Sequence, residues 1–220
     1  MFVIHCVPKR RKWVDGYIIP ELKKHNQEYI VYEDTKGDGN LKSFTNSLDK
    51  VKDVPNGCWH IQDDIYFASD FFERIKTLPK DMLVAGFTSA DWCHGIAGVQ
   101  FIQGGWLSFQ CVYIPTKYVS GFRQFLKDYY EDYKQMIDSG CCDDTLFQKY
   151  VKKKFPEDWC LNVKPNLVNH IDYLIGGTTI HKNFKPHLAL YWDDDIETME
   201  KRVREVLSDG KRTKSKTKRI

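Results

Sequence analysis

The chain has 220 residues, 42% of them hydrophobic, 29% charged and 14% aromatic. That supports one large core and excludes disorder as the overall state, and no apolar run approaches the ~20 residues that span a bilayer. Lys plus Arg is 33 against 30 Asp plus Glu, but six of the cations and no acid fall in residues 211–220, so a mildly acidic body carries a basic tail.

Residues 2–7 form a short apolar run that ends at Pro8 and the basic triplet Lys9-Arg10-Arg11, which reads as a buried strand feeding a loop. Helical spacing follows over 13–24 through Trp13, Tyr17, Ile18 and Leu22. A second strand is predicted at 29–32, stopped by Glu33-Asp34, then a glycine-containing loop over 35–40 and a helix over 41–51. After the Asn56-Gly57 turn, a third strand at 58–61 runs into Gln62-Asp63-Asp64. A helix over 67–78 and a strand over 82–87 complete an alternation that argues for a mostly parallel sheet with helices on both faces. Such sheets bind ligands at the carboxyl ends of their strands.

The second half changes character. Residues 99–102 and 107–114 read as strands around the turn Gly104-Gly105, and a long helix is expected over 120–137. Asp143-Asp144 precedes a helix over 145–151. Residues 162–170 are extended and broken by Pro165, Gly176-Gly177 opens a loop, and a last helix is expected over 194–207. The domain organisation is one domain over 1–207 and a basic, disordered tail over 208–220.

Residues 1–8 are apolar for too short a stretch to be a secretory signal. The seven cysteines (6, 58, 93, 111, 141, 142, 160) contain no C-x-x-C pair, which disfavours a disulfide framework or a zinc knot and agrees with a reducing cytoplasm. No phosphate-loop, dinucleotide, nucleophile-elbow or H-E-x-x-H pattern occurs. No obligate protein partner is evident.

Two acid pairs stand out. Asp63-Asp64 at a strand end suits a hard divalent ion, or dresses the N-terminus of the next helix. Asp143-Asp144 suits a helix cap, or a cap that also serves as general base. His170 and His181 are candidate ligands or core histidines. The tail reads either as a solvated end or as a source of attraction for phosphate backbones.

This order of features resembles the GT-A-fold nucleotide-sugar glycosyltransferases, particularly small single-domain ones of viral or bacterial type. The likeness spans roughly residues 1–195. It implies an α/β, half-Rossmann, mixed but mostly parallel sheet flanked by helices, and a Mn2+ or Mg2+ cofactor. In its acidic motif the matching triplet is Gln62-Asp63-Asp64, with Gln62 replacing the first acid, Asp64 as metal ligand and Asp63 toward the ribose or a metal-bound water. The loop from Val7 and Pro8 to Arg10 and Arg11 would line the nucleotide, and Asp34 would lie near its base or ribose. Gly104-Gly105-Trp106 matches the acceptor loop. Cys142-Asp143-Asp144 matches the catalytic acid motif, with Asp144 as base, and His170 is the late metal ligand, with His181 the fallback.

The implied reaction is inverting transfer from a nucleotide-diphosphate sugar, UDP-sugar favoured. The acceptor would be polyanionic: DNA with a hydroxylated or hydroxymethylated base first, a phosphate-rich glycan or lipid headgroup next. Trp92 and Trp106 could stack on a base or simply fill the core. A metal-dependent nucleotidyltransferase and a non-catalytic binding module are the competing classes.

Overall fold

The computed structural model describes residues 1–88, 100–102, 109–176, 188–189 and 191–215, with backbone alone for 100–102 and 209–215. β1 (Phe2–Cys6) lies between β2 (Tyr29–Glu33) and β3 (Cys58–Gln62), parallel to both. The link from β1 to β2 is helical from its start: a 3-10 turn at Pro8–Arg10, α1 (Arg11–Trp13), a wider π turn at Val14–Ile18 and α2 (Ile19–Lys24). Pro8 is suited to that first turn because it has no N–H to satisfy there. α3 (Asn40–Val51) carries the chain from β2 to β3. Gly57, at φ +111°, enters β3 so close to the end of a neighbouring strand that a Cβ would sit 2.2 Å from the Ile114 carbonyl oxygen.

Beyond β3 the structure departs from the sequence pattern. Ile65–Phe67 is a strand, β4, before α4 (Phe71–Thr77) begins, so the helix expected over 67–78 starts later. β4 pairs antiparallel with β9 (Val168–His170) in a separate two-stranded sheet, Ile65 opposite His170. Asp63 and Asp64 therefore occupy a strand-to-strand turn and do not cap a helix.

The remaining strands are β5 (Leu83–Ala85), β6 (Gln100–Ile102), β7 (Cys111–Ile114) and β8 (Cys160–Asn162). They extend the main sheet to seven strands in the order β2-β1-β3-β7-β5-β8-β6, with only β6 and β7 running against the rest. The expected hairpin of β6 with β7 does not form. β7, buried at all four residues, pairs with β3 and β5 in the middle of the sheet, and β6 pairs with β8 at the edge. The result is an α/β fold with a mixed, mostly parallel sheet between helical layers.

Strand alternation distributes the core. Ile4, Trp59 and Ile61 face a layer holding Trp13, Tyr17, Leu22, Phe71 and Phe72 from the first helices and α4. Against the same layer packs α9 (Ile196–Ser215) through Met199 and Val203, after the short α8 (Asp172–Ile175). On the opposite face Phe44 of α3 meets Phe122 and Phe147, which pack in turn on Tyr150. Each such buried ring contributes roughly 1.5–3 kcal/mol.

The helix expected over 120–137 is two, α5 (Phe122–Asp128) and α6 (Tyr130–Ser139), broken at Tyr129 (φ −114°, ψ 25°), whose ring packs on Phe125 at 4.9 Å. α7 runs Asp143–Lys154. α9 continues to Ser215, so the segment expected to be a disordered tail from 208 is helical for its first part. No described helix is long and apolar enough to cross a membrane.

Candidate functional site

Three parallel strands end at one edge of the sheet, and an acid or a basic loop follows each. Asp34 follows β2, where its Oδ1 accepts the Asp38 N–H (2.9 Å) and its Oδ2 the Gly39 N–H (3.2 Å). Burial raises this carboxyl's pKa, but those N–H groups outweigh burial and hold it below the usual range. Its oxygens brace their own loop, whose Gly37 (φ +68°) and Gly39 (φ +85°) take backbone angles that favour glycine. Next to it, the loop after β1 turns onto the end of β3: the Val7 N–H donates to Asp63 Oδ2 at 2.7 Å.

Arg10 and Arg11 point in different directions. The Arg11 side chain, 38% exposed, pairs with Asp15 at 2.8 Å and Glu33 at 3.1 Å. Arg10, 6% exposed, turns inward, and its Nη1 donates to Asp63 Oδ1 at 2.8 Å and also to Asp64 Oδ2. Asp63 and Asp64 are each 4% exposed. Two adjacent carboxylates at such depth require a compensating cation, because their mutual repulsion and lost hydration would otherwise favour the protonated forms.

His170 supplies a further positive group. The β4–β9 pairing sets it beside Asp64, with Nε2 3.1 Å from Asp64 Oδ2, and the Ile171 N–H donates to the Asp64 carbonyl oxygen at 2.8 Å. Nδ1 lies 3.6 Å from Asp172, whose Oδ1 accepts the Tyr173 N–H at 2.8 Å. Burial lowers the pKa of His170, but the Asp64 carboxylate outweighs it and leaves the pKa raised. Burial raises the pKa of Asp64, but His170 and Arg10 outweigh it and hold that carboxyl below the carboxylate range. Asp63 is the opposite case: burial, then the Asp64 charge, push it up against the pull of Arg10.

The expected metal ligands Asp64 and His170 thus meet, distant in sequence as they are, but they meet each other. Mn2+ or Mg2+ needs several oxygen ligands around one point. Here both Asp63 oxygens and Asp64 Oδ2 are engaged within the cluster, and Asp64 Oδ1 and His170 Nδ1 have no hydrogen-bond partner among the described residues. Among the described residues no group of three His, Cys, Asp or Glu side chains is disposed to hold a metal. The residues present do not fit a preformed divalent site.

The second acid pair comes to the same edge from the other half of the chain. The Leu41 N–H at the start of α3 donates to the Gly140 carbonyl oxygen at 3.0 Å, just ahead of α7. Phe147 of α7 packs on Phe109 (5.7 Å), and the carbonyl oxygen of the adjacent Gln110 accepts the Gln62 N–H at 3.1 Å. Asp143 is buried, and burial with the Asp144 charge pushes its carboxyl up to about 7. Asp144 is half-buried, and its Oδ1 accepts the Thr145 N–H at 2.6 Å. Burial raises its pKa despite that bond. Among the described residues Asp144 makes no hydrogen bond to the Asp63–Asp64 cluster. Gly104, Gly105 and Trp106, with Trp92 and His181, lie outside the described residues.

One polar pair escaped the sequence reading. His5 Nε2 and His60 Nδ1 lie 3.0 Å apart on the α3 side of β1 and β3, against Phe44. Burial pushes His5 down to about 4 and His60 well below its ordinary value, so both rings are neutral and one N–H···N hydrogen bond joins them in a core contact. The available signal was two histidines inside apolar strands that proved to be neighbours.

No family model and no curated protein matches the chain. Among solved structures it is similar to the crystal structure of A197 from STIV, with a TM-score of 0.47 and 13% identity over 88% of this chain and 94% of that one.

Proposed function

We propose that the chain is a glycosyltransferase that moves a sugar from a nucleotide-diphosphate sugar, UDP-sugar favoured, to an acceptor hydroxyl with inversion. The observation that carries this reading is the buried Asp63–Asp64 turn at the carboxyl edge of β1, β2 and β3, with Asp143–Asp144 delivered to that edge by the second half of the chain. Carboxyl edges of open α/β sheets are where nucleotides bind.

In the proposed transfer the acceptor oxygen bonds to the anomeric carbon as the carbon–oxygen bond to the diphosphate breaks. The electron pair leaves on the phosphate oxygen, and the acceptor proton goes to Asp144. A carboxylate raised by burial is a better base at neutral pH than an exposed one. Val7, Pro8 and Arg11 border the proposed donor site. Arg10 acts by holding Asp63 and Asp64 in place, and Asp34 by shaping the adjoining loop.

The acceptor we propose is polyanionic, DNA bearing a hydroxylated base in preference to a glycan or lipid headgroup, on the strength of the basic run over 211–219. The working compartment is the cytoplasm, in line with the free thiols of Cys6, Cys58, Cys111, Cys141, Cys142 and Cys160.

Thermal melts with UDP, UDP-sugars and nucleoside triphosphates test the reading, because a ligand that binds only the folded chain raises its melting temperature. Saturable stabilisation by UDP and one UDP-sugar is expected, and it should be lost in Asp63→Ala. Stabilisation by triphosphates alone would replace transfer of sugar by transfer of a nucleotidyl group.

A further inference from the structure

The acid pair at the end of β3 already has a cation, and the chain supplies it. One nitrogen, Arg10 Nη1, donates to Asp63 Oδ1 at 2.8 Å and to Asp64 Oδ2. The same loop clamps Asp63 a second time through the Val7 N–H, at 2.7 Å. Arg10 is delivered there by the 3-10 turn at Pro8–Arg10, whose Arg10 N–H closes on the Val7 carbonyl oxygen at 3.0 Å. On the far side His170 Nε2 takes the remaining approach to Asp64 Oδ2, at 3.1 Å. A divalent ion entering between the carboxylates would have to break both of these carboxylate contacts and push aside a guanidinium that is only 6% exposed.

We propose that Arg10 is the resident cation of this site: its guanidinium holds the place between Asp63 and Asp64 that a divalent ion would take, and so keeps Mn2+ and Mg2+ out. The glycosyltransferase reading supplies only the kind of ion displaced; the exclusion rests on the contacts themselves. For that reading it means that donor binding does not draw on an exchangeable ion held by Asp63 and Asp64.

The test uses Mn2+ alone, titrated into the full chain and followed by the electron paramagnetic resonance signal of the free aqueous ion. Wild type is expected to leave equimolar Mn2+ free. Arg10→Met empties the place between the carboxylates and should bind one Mn2+ roughly ten-fold or more tighter than wild type, a gain that Arg10→Met/Asp64→Asn loses. One-to-one uptake by wild type that Asp64→Asn abolishes would overturn the proposal.

A second measurement does not depend on the variant folding. Wild type should melt at the same temperature in EDTA and in excess Mn2+, and a saturable Mn2+ stabilisation lost in Asp64→Asn would overturn the proposal equally. Calorimetry with UDP separates the two readings. UDP binding that requires Mn2+ defeats the resident-cation proposal and keeps the glycosyltransferase. Failure to bind UDP in either buffer removes the glycosyltransferase and leaves the Mn2+ result to stand.

Discussion

Asp143→Asn should make the chain more stable at neutral pH and should change little in acid. Asp143 is 7% exposed at the start of α7. Burial and the neighbouring Asp144 charge push its carboxyl up to about 7, against the pull of the first backbone N–H groups, whereas the ordinary value is 3.8. The folded pKa therefore lies above the unfolded one. Below about pH 4 both states hold the proton and the group costs nothing. As pH rises from about 4 to about 7 the unfolded chain ionises first and the native state loses stability, and above about pH 7 the loss is constant. The gap between 3.8 and about 7, at about 1.4 kcal/mol per factor of ten, puts the full loss on the order of 4 kcal/mol.

Asparagine has nearly the same size, can accept the same N–H groups and carries no charge, so it escapes that loss. Urea unfolding of both proteins at pH 5 and pH 8 measures it. The advantage of the variant should grow by on the order of 2–3 kcal/mol between the two, or several degrees in melting temperature. A gap that is the same at both pH values would refute the reasoning. A gap of opposite sign at pH 8 would mean that ionised Asp143 stabilises the N-terminus of α7.

Asp144→Asn should slow sugar transfer by about 10²–10⁴ while leaving donor affinity nearly unchanged, and, because burial raises this carboxyl as well, it should not lower stability at neutral pH. The product should carry the inverted anomer by NMR, and a retained anomer would reassign the base. Gly16→Ala brings a Cβ to 2.7 Å from Val206 Cγ1 of α9, so it should cost about 1–3 kcal/mol in urea unfolding, and Gly16→Ala/Val206→Ala should recover part of that. Truncation after Gly210 should weaken DNA binding and flatten its salt dependence, whereas unchanged affinity and slope would leave the acceptor open.

The first half of the fold was legible because its apolar runs are short and cleanly punctuated. Glu33-Asp34, the glycines over 35–40 and Asn56-Gly57 separate β2, α3 and β3. β4 was not legible, because Ile65-Tyr66-Phe67 runs almost directly into the helical spacing of α4 and its partner β9 lies far along the chain. The central place of β7 was hidden for a similar reason. Adjacent strands around two glycines suggest a hairpin, and only the buried character of Cys111–Ile114 favours a middle position. Tyr129 breaks a helix whose apolar spacing carries on unbroken, so periodicity alone could not show the break.

For the candidate site, the sequence indicated the right residues and the wrong contacts. A strand-end acid pair followed by a late histidine invites a metal, and the structure does bring Asp64 to His170. What the pair requires, though, is positive charge, and either an exchangeable ion or a side chain can meet that requirement. The sequence contained the second answer as well. Lys9-Arg10-Arg11 follows β1, and parallel pairing of β1 with β3 places the loop after one beside the turn after the other. A basic triplet leaving the strand next to a buried acid pair is thus as much a candidate counter-ion as a phosphate contact. Which arginine turns inward depends on the pitch of the 3-10 turn that Pro8 begins, and only the fold sets that: Arg10 reaches the carboxylates and Arg11 stays outside with Asp15 and Glu33.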